Sequence, residues 1–218
     1  MKIYGVLLSQ NGFMERMKCM ENRLKQQFDF IQEADKEKFI GRQTYLTDGR
    51  RKENDAEHAW HMSLMAILLS EYSNQPVDIL KVVTMILIHD IVEIDAGDTY
   101  AYDESAKESQ RERELQAADR IFNLLPEDQA EKFRKIWDEF EERKTPEAVF
   151  ARTMDNIQPI MLNALSGGRS WEENQVRLQQ ILDRNSITPK GSEVLWNYAK
   201  KNFIDPNVES GKIRNDTI

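Results

Sequence analysis

The run from Ile79 to Ile88 is apolar except for Lys81 and Thr84, and it ends on His89-Asp90. Its Ile79, Val82, Val83, Ile86 and Leu87 recur at helical spacing, so the segment reads as one helix. It falls well short of the roughly 20 apolar residues of a membrane span and must be buried against other protein. Two ionisable side chains at the end of a buried helix are costly unless they are paired, which marks the dipeptide as part of a built site.

Elsewhere helical periods outnumber strand-like alternation. Met14, Met17, Leu24, Phe28 and Ile31 recur at near-helical spacing, and Asn54 or Asp55 caps a helix through Met62, Met65, Ala66 and Leu69. Further helices are expected over 104–125, 127–144 and 146–165, the last with Thr145 as cap, Pro146 in its first turn and Gly167-Gly168 as its stop. Ser170-Trp171-Glu172-Glu173 has the spelling of a capping box, and a final helix from Pro189 to Phe203 is expected to turn Val194, Leu195 and Tyr198 inward. Asp95-Ala96-Gly97-Asp98 reads as a turn. The expected fold is all-α: a single-domain helical bundle over residues 1–204, with the metal core at about 40–165 and a polar, mobile tail over 205–218.

The 218 residues, 40% of them hydrophobic, suffice for one sizeable core. A formal net charge of −8 argues against a nucleic-acid surface, which needs clustered Lys and Arg to neutralise phosphates. A local basic pocket and a small phosphorylated substrate remain compatible with it. Cys19 is the single cysteine, so no internal disulfide forms and a reducing compartment is expected. The patch Gly5-Val6-Leu7-Leu8 is too short for a signal peptide's apolar region. These features together give a cytoplasmic protein with no membrane partner.

The three histidines are His58, His61 and His89. With Asp90 and a downstream Asp155 flanked by apolar residues, His58 and His89 make an ordered set of two imidazoles and two carboxylates. His61 shares the helix face of His58, but it reads as an outer hydrogen-bonding partner or a satisfied core histidine. Pro159 withholds the amide that would pair with the Asp155 carbonyl, and the resulting kink can turn Asp155 toward a site. Four mixed ligands suit one divalent ion: manganese, iron, cobalt, nickel or zinc, with magnesium less favoured because it prefers oxygen. Water on such an ion is acidified toward a pKa of about 7 in a good zinc site, so hydrolysis is the expected chemistry.

Three stretches carry a family resemblance: Arg51-Lys52-Glu53-Asn54-Asp55-Ala56-Glu57-His58, then His89-Asp90-Ile91-Val92-Glu93-Ile94-Asp95-Ala96-Gly97-Asp98, and Asp155. The chain resembles an HD-domain metal-dependent phosphohydrolase of the small 5'-deoxynucleotidase-like branch. The resemblance implies that His58, His89, Asp90 and Asp155 hold the metal, and that Glu93 and Asp98 stand beside the substrate. Read on their own, Glu93 can orient or deprotonate the attacking water if the helix continues past His89, and Asp98 can handle the leaving oxygen's proton.

Arg42, Arg50 and Arg51 form a basic cluster suited to phosphate oxygens. By resemblance Arg42 orients a 5'-phosphate, while Gln43 stands where nucleotidase members carry a tryptophan against the sugar, which implies weaker selection for deoxyribose. Thr99 and Tyr100 are further substrate contacts by the same likeness. The expected activity is release of phosphate from (deoxy)nucleoside 5'-monophosphates. A guanosine tetraphosphate-type 3'-pyrophosphohydrolase is the alternative, disfavoured because its usual Glu-Asp is here Glu93-Ile94; a non-catalytic nucleotide-binding protein is another. Phe133, Ile136, Trp137 and Phe140 belong to the core first, and the resemblance adds a homodimer.

Overall fold

The computed structural model describes residues 10–97 and 110–215. A long helix, α1 (Gln10–Ala34), runs through a 3-10 turn (Asp35–Phe39) into a hairpin of β1 (Gly41–Tyr45) and β2 (Lys52–Asn54). Then follow α2 (Asp55–Leu69), α3 (Ile79–Ile88), the short α4 (Glu93–Ala96), α5 (Gln110–Phe122), α6 (Glu127–Glu142) and α7 (Pro146–Leu165). Short helices complete it: α8 (Arg169–Glu173), α9 (Leu178–Arg184), α10 (Thr188–Gly191), α11 (Glu193–Ala199) and α12 (Asp205–Glu209), with a π turn at Lys200–Ile204. The fold is the expected all-α bundle, with a small hairpin that the helical periodicity did not anticipate.

Caps set the starts of the helices around the histidines and Asp155. The Asn54 side chain accepts the Glu57 amide while the Glu57 side chain accepts the Asn54 amide, so both exposed donors at the start of α2 are satisfied. Asp78 caps α3, and Thr145 with Pro146 opens α7 as expected. Helices α2, α3 and α7 then pack Met62, Ala66, Val82, Met85, Ile86, Ala151 and Met154 into one cluster. Full burial of each larger side chain contributes roughly 1.5–3 kcal/mol, and this cluster clamps together the three helices that carry His58, His89 and Asp155. A second cluster joins Ile91, Val92, Ile121, Phe122 and Trp137, and a third holds Trp171, Ile181, Ile204 and Ile213.

Several expectations change. Trp137 and Phe140 are core residues, as expected, but the apolar face of α1 is not: Phe13, Met17, Leu24 and Phe28 are exposed. Ser170 lies within α8 and is buried, and Gly168 in a left-handed conformation precedes the helix in place of a capping box. The expected helix from Pro189 is broken at Ser192, whose extended backbone starts α11 afresh. That restart buries Leu195 but leaves Val194 and Tyr198 outside. Just before the break the chain packs closely on α7: a Cβ on Gly191 would meet Thr153 Oγ1 at 2.2 Å and the Val149 carbonyl oxygen at 2.8 Å. Residues 205–213 are not a loose tail: α12 forms there, and Ile213 is 1% exposed in the third cluster.

Candidate metal centre

His58, His89 and Asp155 are buried, and each can place one ligand atom within 4.8 Å of the other two. His58 Nδ1 lies 2.8 Å from Gln158 Oε1. The amide nitrogen of Gln158 is committed to Glu53 Oε2 at 2.9 Å and approaches His61 Nδ1 at 3.3 Å. The amide oxygen therefore faces His58, whose Nδ1–H must donate, leaving a lone pair on Nε2. Among the described residues, Gln158 is what joins His61 to His58.

His89 follows the last residue of α3, and its Nδ1 lies 2.6 Å from the Ile86 carbonyl oxygen, so that nitrogen too is the donor. Trp137 Nε1–H donates to the His89 carbonyl at 3.1 Å, fixing the backbone from the opposite side. Both imidazoles thus turn Nε2 toward carboxylates. His58 Nε2 is 3.1 Å from Asp155 Oδ1; His89 Nε2 is 3.0 Å from Asp90 Oδ2 and 3.8 Å from Asp155 Oδ1. Despite these distances the buried His89 Nε2 has no aligned hydrogen-bond partner. Two imidazole nitrogens and the carboxylate oxygens facing them make a donor set that a cation can occupy. The residues present therefore fit a divalent metal.

The electrostatics agree. Burial pushes the His58 imidazole down, aided by Arg42, to a pKa of about 4, so the ring is neutral. For His89 burial acts in the same direction, but the adjacent Asp90 outweighs it and raises the imidazole to about 9. A proton on Nε2 there meets the same demand for positive charge that a metal ion meets. Burial raises Asp155, yet Arg152 and the histidines hold it well below the ordinary carboxylate range. Arg152 Nη1 donates to Asp155 Oδ2 at 2.5 Å. Asp90 is likewise ionised, held low against burial by His89 and Arg42.

Arg42 enters this cluster from β1. Its Nη1 donates to Asp55 Oδ1 at 3.0 Å and to Asp90 Oδ2 at 2.7 Å, and Nε lies 3.6 Å from Glu53 Oε1. The guanidinium that was expected to meet phosphate is engaged by buried carboxylates. Arg51 is on the outer surface, forked onto Glu57 at 2.8 and 2.5 Å, and Gln43 accepts a hydrogen bond from Lys52 across the hairpin. Neither is among the residues lining the cleft. Asp98, Thr99 and Tyr100 lie outside the described residues.

Glu93 does not follow His89 on a continuous helix. Residues 89–92 form a turn in which the Glu93 amide donates to the Asp90 carbonyl at 2.8 Å, and α4 starts at Glu93. The turn still brings the carboxylate beside Asp90 and Asp55. Glu93, His89, Asp90 and Asp155 open onto a cleft of about 660 Å³ whose walls include Trp137, Phe140 and five arginines: 42, 111, 143, 152 and 184. Gln158 and Arg152 were absent from the sequence reading, although each lies one helical turn from Asp155 and so shares its face.

The HD domain family matches residues 34–196. A crystal structure described as a predicted metal-dependent phosphohydrolase from Magnetospirillum magnetotacticum MS-1 is 44% identical, with a TM-score of 0.84 over 88% of this chain and 96% of that one. The human protein named 5'-deoxynucleotidase HDDC2 is 29% identical over 134 residues, covering 62% of this chain and 63% of the human protein. The Dictyostelium discoideum protein of that name is 25% identical over 162 residues, 71% of this chain and 85% of its own length. The match to the human relative thus spans less than two thirds of that protein. A family match over residues 34–196 and the metal-ready histidine pair lead to one assignment: the chain belongs to the HD domain family.

Proposed function

We propose that this protein is a metal-dependent phosphohydrolase that releases phosphate from (deoxy)nucleoside 5'-monophosphates. The observation that carries the reading is the pair of histidines whose second nitrogens are fixed by Gln158 and the Ile86 carbonyl, so that both Nε2 atoms converge on Asp155 beside an arginine-lined cleft. His58, His89, Asp90 and Asp155 are the proposed ligands of one divalent ion. When bound, that ion acidifies water and neutralises charge on phosphoryl oxygens.

The remaining work falls to the chain's own residues. Gln158 and Arg152 hold His58 and Asp155 in position, so little reorganisation accompanies the reaction. Glu93, at the cleft edge, orients the attacking water and accepts its proton as the oxygen bonds to phosphorus. The P–O bond to the sugar then breaks, and Asp98 is the proposed donor to the departing oxygen. Trp137 and Phe140 give the cleft an apolar wall that limits water. The likeness to proteins named 5'-deoxynucleotidase supports a nucleotide substrate.

We further place the protein in the cytoplasm on its lone, exposed Cys19. No helix among the described residues is long and apolar enough to cross a membrane. A homodimer is proposed over the exposed apolar residues of α1, where Phe13, Met17, Leu24 and Phe28 form a stripe that an isolated chain leaves in water. The deciding experiment incubates purified protein with nucleoside and deoxynucleoside monophosphates in manganese, cobalt, magnesium or chelator and measures orthophosphate. Release that chelator abolishes is expected. No release with any ion rejects the reading, and pyrophosphate release from a guanosine tetraphosphate in its place selects the alternative.

A further inference from the structure

The cleft is lined by five arginines alongside Asp90, Glu93, Glu114, Glu141, Asp155 and Asp183, and not every arginine is matched to a carboxylate. Arg42 and Arg152 are engaged by the site carboxylates, and Arg111 lies 3.4 Å from Glu141 while stacking on Trp137. Arg143 and Arg184 line the same cleft, yet among the described residues neither makes an ion pair or hydrogen bond through its side chain. Asp183, next to Arg184, takes a hydrogen bond from Gln179 at 2.7 Å and forms no ion pair with it.

Arg143 ends α6 at φ 55°, a left-handed conformation that favours Gly or Asn. Its guanidinium feels Arg152 and Arg184 as well as Glu141 and Asp155. The Arg143 backbone is thus an outlier of the kind that gathers at binding sites, and Arg184 adds a second guanidinium to the same cleft without an ion pair among the described residues.

We propose that Arg143 and Arg184 form the anion subsite of the cleft and grip a phosphate dianion, both that of the substrate and the released orthophosphate. Their planar forks suit two-point contact with phosphate oxygens. Arg42, the arginine expected to meet phosphate, lines the same cleft and is tied to Asp55 and Asp90. The substrate half of this assignment rests on the phosphohydrolase reading; the binding of inorganic phosphate does not.

The test is calorimetric titration of inorganic phosphate into the metal-loaded full chain, for wild type, the double variant Arg143→Gln with Arg184→Gln, the corresponding double lysine variant, and Arg23→Gln as a surface control. Loss of two charged contacts should weaken phosphate by at least about tenfold, with metal content unchanged and lysine intermediate because it keeps charge without the fork. Arg143→Asn adds an independent readout: a residue suited to the left-handed backbone should raise the melting temperature while weakening phosphate. A purely structural Arg143 would lose stability and leave phosphate binding intact, which overturns the proposal. Wild-type-like affinity in the double glutamine variant, or no phosphate binding to wild type, also overturns it. If the variants lose phosphate but no nucleotide is hydrolysed, the subsite stands and the nucleotidase reading falls. If nucleotides are hydrolysed while the variants bind phosphate normally, the reverse holds.

Discussion

His89 and Asp155 line the cleft and His58 is buried beside them, and each is held in direction by Gln158, the Ile86 carbonyl or Arg152. At the outer wall, Arg143 and Arg184 stand exposed and, among the described residues, unpaired. The difference matches the two kinds of ligand. A small cation selects for ligand atoms fixed within fractions of an ångström, so its supporting contacts must exist before it arrives. A phosphate brings its own charge and spreads it over several oxygens, so long cations in an open groove can close on it.

The largest expected effect comes from removing a proposed ligand. His89→Ala should lower metal from one ion per chain to a trace by elemental analysis, and cut phosphate release by more than about 10³-fold if the charge-stabilising site collapses. Unchanged metal content would remove the inner end of the comparison. Glu93→Gln separates water handling from metal holding: metal should stay while turnover falls about 10²- to 10⁴-fold. Near-normal turnover would return Glu93 to a structural role at the start of α4.

A third effect is smaller and tests whether direction, rather than composition, makes the ligands. Gln158→Leu keeps both histidines and both aspartates but leaves His58 Nδ1 and Glu53 without their partner. Metal affinity should drop by about 10- to 100-fold. Competition with a coloured chelator measures it, and an unchanged constant would mean that burial alone orients His58.

This contrast also explains what could be read from the sequence. That His58, His89 and Asp155 come together, with Asp90 beside His89, was legible because ionisable residues beside apolar helical faces have few bland explanations. The helices carrying them were legible from their periods and from the Asn54 and Thr145 caps. Arg42 was legible as a cation near the site, but its partners were not: Asp55 and Asp90 meet it only once the hairpin folds against α2 and the turn after α3. Arg143 and Arg184 lie on segments without shared periodicity, and a lone arginine at a helix end looks like a solvated surface residue. The break at Ser192 was hidden, as was the close approach of Gly191 to α7 just before it, a tertiary distance.

The buried carboxylates of the hairpin region provide a pH test. Glu37 is buried, its Oε1 lacks a hydrogen-bond partner, and burial followed by repulsion from Asp90 raises its pKa to about 8. The folded state therefore keeps a proton that the unfolded chain releases near the usual pKa of about 4.3. This group's stabilising contribution is complete below that value and is lost as pH rises toward 8. The melting temperature of wild type should accordingly fall more between pH 5 and pH 8 than that of Glu37→Gln, which is neutral throughout. Equal slopes would mean that Glu37 is ionised in the fold.

The smallest effect is expected at Gln43. Its amide accepts a hydrogen bond from Lys52 on the hairpin and does not line the cleft, so it is badly placed to read a sugar. By likeness to nucleotidases a tryptophan at this position would sharpen selection for deoxyribose, since a flat ring leaves less room for a 2'-hydroxyl. The observed hairpin gives the opposite expectation: Gln43→Trp should change the deoxy-to-ribo ratio of kcat/KM by less than about twofold, far below the ~10⁴-fold that a lost hydroxyl-reading hydrogen bond can produce. Matched deoxynucleoside and nucleoside monophosphates measure this ratio in both proteins. A large gain in deoxy preference would mean that β1 turns Gln43 toward the sugar when substrate binds, and that the cleft has a third wall built from the hairpin.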